Sequence, residues 1–328
     1  MHKTSKKSKQ QEDFIERNTY SLIFGKEPSE RISRSSAVTM ISETFSSDPA
    51  AQQIFMITGV RGTGKTVRMN EIKNTLQKKQ EWIVIELSPE RDMLTALAAK
   101  LSSQNHLAQI FQSAEINLSF FGLGLSVGNS APVTDIDTAL SRMLSSLKEH
   151  GKKVLILIDE AVSNIYMRQF SSSFQILIRE DLPLFLLMTG LYENIYELQS
   201  EKSLTFLYRA PKIDMKPLNL KAIAENDQNN FSLSDDEARQ MALMTKGYSF
   251  AFQVLGYFTF QHSGQWRQAY QEYRGYLYIY VYEKSGPNCP QRINPLHMHS
   301  QNRRTAVSAE SVNSCIWKPI SSIRTVRD

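Results

Sequence analysis

Eight consecutive residues, Gly59-Val60-Arg61-Gly62-Thr63-Gly64-Lys65-Thr66, follow the pattern Gly-x-x-x-x-Gly-Lys-Thr. Glycines at these positions let consecutive backbone amides turn inward around phosphate oxygens. Lys65 adds a cation for the β- and γ-phosphates, and the Thr66 hydroxyl can bind Mg²⁺. The apolar run Ile54-Phe55-Met56-Ile57-Thr58 precedes the loop, and Met69, Ile72 and Leu76 recur after it at helical spacing. The pattern therefore sits where a strand passes into a helix, and that helix turns its positive end toward the bound anion.

A second run, Val154-Leu155-Ile156-Leu157-Ile158, ends in Asp159-Glu160. A strand buried on both faces would deliver these carboxylates to its C-terminal end, where open α/β sheets bind ligands. Asp159 is expected to hold Mg²⁺, through water, and Glu160 to orient or deprotonate an attacking water. Thr189, at the end of Leu184-Phe185-Leu186-Leu187-Met188, is placed to hydrogen-bond the γ-phosphate or that water. Arg209, in Tyr208-Arg209-Ala210-Pro211, is a candidate for stabilising transition-state charge in its own or a neighbouring subunit. Arg61, inside the loop, is a weaker candidate. The ligands implied are ATP and Mg²⁺.

These groups need a scaffold. Besides the three runs above, Trp82 to Leu87 and Lys212 to Met215 read as strands, five in all between residues 50 and 218. Most are continuously apolar, the pattern of parallel strands covered on both faces. Helical spacing lies between them, as at Phe170, Phe174 and Leu177, so the expectation is a three-layer α/β/α fold with a parallel sheet. The segment Asn117 to Val127 breaks the alternation and reads as an inserted hairpin or as a mobile or partner-binding loop. From Leu218 the chain turns helical. Ser234 and Glu237 form a capping box for a helix that should end near Lys246 and Gly247. Helices around Phe250 to Gln261 and Gln265 to Glu283 follow, making a small helical domain, 218–284, after the core at 18–217.

The net charge of +5 is concentrated at the ends. Residues 1–10 and 285–328 each carry +4, which leaves −3 on the body. A nucleic-acid partner is conceivable for the basic arm, 1–17, but the charge of the body does not support one. Cys289 and Cys315 both lie in the tail, so a disulfide scaffold or Cys-based metal site in the body is excluded. No apolar run approaches the ~20 residues needed to span a bilayer, and the N-terminus does not read as a secretory signal. A cytoplasmic location, with no membrane partner, is expected.

The order of these elements (phosphate loop, Asp159-Glu160, Thr189, Arg209, helical lid) resembles the AAA+ class of P-loop ATPases. Ser21-Leu22-Ile23-Phe24-Gly25, Met56 to Gly62, Leu187 to Glu193 and Tyr208 to Pro211 are similar to a family of bacterial and archaeal AAA+ ATP-binding proteins. That resemblance implies a sheet order of 5-1-4-3-2 and an adenine pocket built partly by the segment before the phosphate loop, with residues around Ile32 lining it. One departure stands out. Many lids of this class carry an Arg one turn after the lid glycine, whereas Gly247-Tyr248-Ser249-Phe250-Ala251-Phe252 has none, so this lid is expected to sense nucleotide by packing.

After Lys284 the composition shifts abruptly. One alternative reading frame reconciles two windows, Lys284–Gln291 and Cys315–Ser322, the second with the winged-helix segment of the resembled family. Residues 285–328 are therefore read as frameshifted, the alternative being a genuine disordered tail. Three functions fit the whole: an ATP hydrolase coupling turnover to domain motion, a nucleotide-gated regulatory or nucleic-acid-associated switch with little turnover, and a small-molecule kinase. Self-association or a protein partner accords with the first two.

Overall fold

The computed structural model describes residues 18–23, 25, 27–122 and 132–282. The basic arm and the tail from residue 285 lie outside these residues.

All five expected strands are present: β1 (Ile54–Thr58), β2 (Trp82–Leu87), β3 (Lys153–Ile158), β4 (Leu184–Gly190) and β5 (Lys212–Asp214). They form one sheet in the order β2-β3-β4-β1-β5, and every pairing is parallel. This is the 5-1-4-3-2 order implied by the family resemblance. β4 runs two residues past the apolar stretch, so Thr189 lies within the strand and pairs with Ile57.

The inner strands are apolar throughout because successive side chains enter different cores. Met56, Ile156, Ile158, Leu186 and Met188 belong to one cluster, while Phe55, Ile57, Leu155, Leu157, Phe185 and Leu187 belong to the other. Helices α1 (Ser35–Ser46) and α2 (Lys65–Gln77) cover the second face through Ile41, Phe45, Ile72 and Leu76. Phe45 centres an aromatic group there, with Phe55 and Phe185 each 5.3 Å away between ring centroids. The first face is covered by α3 (Met93–Ser102), α4 (Ala108–Ser113), α5 (Ile136–Glu149), α6 (Ile165–Arg179) and α7 (Tyr192–Ser200). Polar caps set several starts: Asp92 accepts from the amides of Leu94 and Thr95 for α3, and Asn164 from Met167 for α6.

Three helices follow the sheet: α8 (Leu220–Phe231), α9 (Asp235–Thr245) and α10 (Ser249–Gln261). Ser234 caps α9 as expected, accepting from the amide of Glu237, while the Glu237 carboxylate accepts from the Ser234 hydroxyl at 3.0 Å. α9 stops at Lys246 and Gly247, both with positive φ. Helix α11 (Trp266–Leu277) continues into a wider π-type turn, Tyr278–Tyr282. The chain divides after Ala269 into two compact units. In the second, Tyr276 stacks on Tyr280 at 4.5 Å.

No strand occurs in the described part of the segment Asn117 to Val127, which the sequence left open between a hairpin and a mobile or partner-binding loop. Ile116 and Leu118 are buried under the sheet, and Ser119–Phe121 turns as a 3-10 helix. The remainder, through Val127, lies outside the described residues. Among the described residues no helix is long and apolar enough to cross a membrane.

Candidate functional site

A cavity of about 430 Å³ opens where the loop after β1 meets the end of β3, the sheet end at which α/β folds bind ligands. The loop owes its shape to its glycines. Gly64 has φ +88° at the N-cap of α2, a left-handed conformation that side chains disfavour. Lys65 is buried, and its Nζ donates to the carbonyls of Gly59 at 2.9 Å and Val60 at 3.0 Å. Burial holds its pKa below the usual lysine value, while Asp159 and Glu160 pull the other way. Gly62, Thr63, Gly64, Lys65, Thr66 and Arg61 line the cavity. Gly59 and Val60 do not line it; their carbonyls receive the lysine.

The carboxylates arrive as expected from β3. Thr66 Oγ1 donates to Asp159 Oδ2 at 2.7 Å, and Thr189 Oγ1 donates to Asp159 Oδ1. Thr189 is fully buried at 0% exposure, so its hydroxyl is directed at the Asp159-Glu160 turn rather than into the cavity. It also accepts from the Glu160 amide at 3.3 Å, and its carbonyl accepts from the Ala161 amide at 2.8 Å. These bonds hold Glu160 in a left-handed conformation, φ +53°, which for a residue with a side chain costs about 1 kcal/mol. The turn leaves the Glu160 carboxylate exposed in the cavity wall, beside Asp159.

Ile32 lines the cavity and packs against a cluster containing Tyr20, Leu218 and Phe252. Arg209 behaves differently. It ends a 3-10 segment, Lys202–Arg209, is exposed, and does not line the cavity.

Several groups at the site were not apparent in the sequence. The strap before α1 brings Arg31 and Arg34 to the cavity, and α2 brings Arg68 and Glu71. Glu71 pairs with Arg68 at 2.5 Å and Arg31 at 3.3 Å. Arg34 joins the phosphate loop to α10: Nη1 donates to the Thr63 carbonyl at 3.2 Å and Nη2 to Ser249 Oγ at 3.4 Å. Burial, with Arg68 nearby, lowers its pKa to about 10. The start of α10 also touches the loop. Tyr248 Oη donates to the Arg61 carbonyl at 2.6 Å, and Phe250 N to the Gly62 carbonyl at 3.0 Å. The departure at Gly247 to Phe252, apolar and hydroxylic where an Arg is usual, was the available signal.

No curated protein matches the chain. Among solved structures it is similar to Cdc6p from Pyrobaculum aerophilum (12% identity, TM-score 0.49, covering 76% of this chain and 69% of that one). It is also similar to AMPPCP-bound DnaA from Aquifex aeolicus (13%, 0.46, 78% and 71%). Residues 32–195, which hold the phosphate loop, both carboxylates and Thr189, match the family described as an ATPase domain predominantly from Archaea. The chain belongs to that family, and its parallel sheet and phosphate loop give it a P-loop NTPase fold.

Proposed function

We propose that the chain binds ATP with Mg²⁺ in the cavity around Lys65, hydrolyses it, and couples the cycle to motion of the helical domain 218–284 against the sheet domain 18–217. The observation that carries this reading is the 2.7 Å contact between Thr66 and Asp159, which joins the end of the phosphate loop to the strand carrying the acidic pair.

The loop amides from Gly59 to Thr66 would wrap the phosphates, and Lys65 would exchange its carbonyl partners for phosphate oxygens. A hydroxyl and a carboxylate side by side are hard oxygen donors of the kind Mg²⁺ prefers, so Thr66 and Asp159 fit as its holders. Magnesium held there would supply positive charge against the phosphate oxygens. Glu160, on the exposed side of the turn, would orient the attacking water and accept its proton. Thr189 acts through this turn by fixing Asp159 and the Glu160 amide. The exposure of Arg209 suits a role at the site of an adjacent copy, and Ile32 supplies apolar contact for the base.

The arginine-free segment Tyr248 to Phe250 favours a second reading, in which nucleotide binding gates a partner and turnover is slow. A single-turnover measurement of phosphate release separates the two. Hydrolysis at this site requires Glu160→Gln to abolish release while ATP binding persists; unchanged release in that variant removes the hydrolase reading.

A further inference from the structure

Three consecutive carbonyls of the phosphate loop are each held by one of three consecutive residues at the start of α10. The Arg61 carbonyl accepts from Tyr248 Oη at 2.6 Å, the Gly62 carbonyl from Phe250 N at 3.0 Å, and the Thr63 carbonyl from Ser249 Oγ at 3.1 Å. Arg34 donates to that same Thr63 carbonyl and to Ser249.

A trans peptide is planar, so the carbonyl of one residue and the amide hydrogen of the next point in opposite directions. Anchoring the carbonyls of Arg61, Gly62 and Thr63 toward the helical domain therefore aims the amides of Gly62, Thr63 and Gly64 the other way. All three residues line the cavity. An anion on one side of these planes and the hydroxyl and amide donors on the other favour the same loop orientation.

We propose that Tyr248, Ser249 and Phe250 are positioning residues through which the helical domain reads nucleotide, by way of the loop peptide planes and without a charged side chain of its own. The inference rests on the ATP-binding reading and deepens it. Gly62 is required for this contact. It has φ +75°, and a Cβ there would overlap the Tyr248 ring and lie 3.0 Å from Phe250 Cβ. The hydrogen bond from the buried Tyr248 to the Arg61 carbonyl, 187 residues away in sequence, joins the two segments. Linkage makes the coupling reciprocal: a docked helical domain raises nucleotide affinity by the factor with which nucleotide favours docking.

The test is hydrogen exchange on the full chain, free and with MgADP or a non-hydrolysable MgATP analogue, compared with the double variant Tyr248→Phe, Ser249→Ala. In the wild type, nucleotide should slow exchange across residues 249–261. In the double variant nucleotide should still bind, weakened by about fivefold for each neutral hydrogen bond removed, while the slowing caused by nucleotide largely disappears. A purely structural contact would raise exchange in the free and bound states alike and leave their difference intact, which overturns the proposal. Should the double variant not fold, Tyr248→Phe alone decides, since undiminished slowing counts against the coupling. Nucleotide bound to wild type without any slowing defeats the coupling only, whereas no binding to wild type defeats the ATP reading and the coupling with it.

Discussion

Asp159 is gripped on both oxygens, by Thr66 at 2.7 Å from the end of the phosphate loop and by Thr189 from the neighbouring strand. Its orientation is thus set by the protein before any ligand arrives, the kind of preorganisation that makes charged groups effective in catalysis. Replacing Asp159 with Asn keeps the shape and removes the charge. The expected result is loss of the magnesium contribution to ATP affinity, by about 100-fold, with magnesium-free binding little changed. Calorimetric titration with ATP, with and without magnesium, measures both, and an equal loss in the two conditions would contradict the assignment.

Thr189→Val tests whether that threonine senses ligand or supports the acidic turn. The hydroxyl is fully buried and bonds Asp159 and the Glu160 amide. Its removal should destabilise the fold by about 1–3 kcal/mol, because buried partners lose a bond. Hydrolysis should fall much more than nucleotide affinity does. A selective loss of ATP affinity over ADP affinity would instead mean direct contact with the γ-phosphate.

The core of this site was legible in the sequence for physical reasons. Parallel strands covered on both faces are written as unbroken apolar runs, and the functional groups sit where those runs end. The partner of Thr189 was not legible, because a hydroxyl at a strand end gives no sign of which neighbour it will meet. The contacts of Tyr248, Ser249 and Phe250 were hidden for a stronger reason. They depend on the direction of backbone carbonyls almost two hundred residues away, and side-chain type says nothing about that direction. Helix α1 was missed because Ser and Thr fill much of Ser35–Ser46 and weaken its helical signal, although Ile41 and Phe45 anchor it in the core.

Gly256 is a packing glycine inside α10. A Cβ there would lie 2.6 Å from Cζ of Tyr20, whose ring is buried, stacked on Phe231 at 5.6 Å and edge-on to Phe252 at 5.5 Å. Alanine normally strengthens a helix relative to glycine by about 1 kcal/mol. Here overpacking should dominate and cost about 1–3 kcal/mol net. Urea unfolding of Gly256→Ala decides the sign, and a stabilised variant would show that the strap at Tyr20 yields without loss.

Asp227, on α8, should make stability fall with rising pH. It is fully buried beside the Tyr20 hydroxyl, with the Glu30 carboxylate nearby. Burial first, and Glu30 second, raise its pKa from the usual 3.8 to about 8. Below about pH 4 the carboxyl is protonated whether the chain is folded or not, so it contributes no pH dependence. Between about pH 4 and 8 the unfolded chain has lost this proton while the folded chain keeps it, and each rise in pH therefore favours unfolding. Above about pH 8 both forms are ionised and the penalty levels off. Asp227→Asn keeps the neutral shape and removes the titration. Denaturant midpoints of wild type minus variant, measured from pH 5 to 9, should decline across this range and flatten near its top. A difference that stays constant with pH would show that Asp227 is ionised in the folded protein, and that the strap carrying Tyr20 and Glu30 tolerates a charge beneath it.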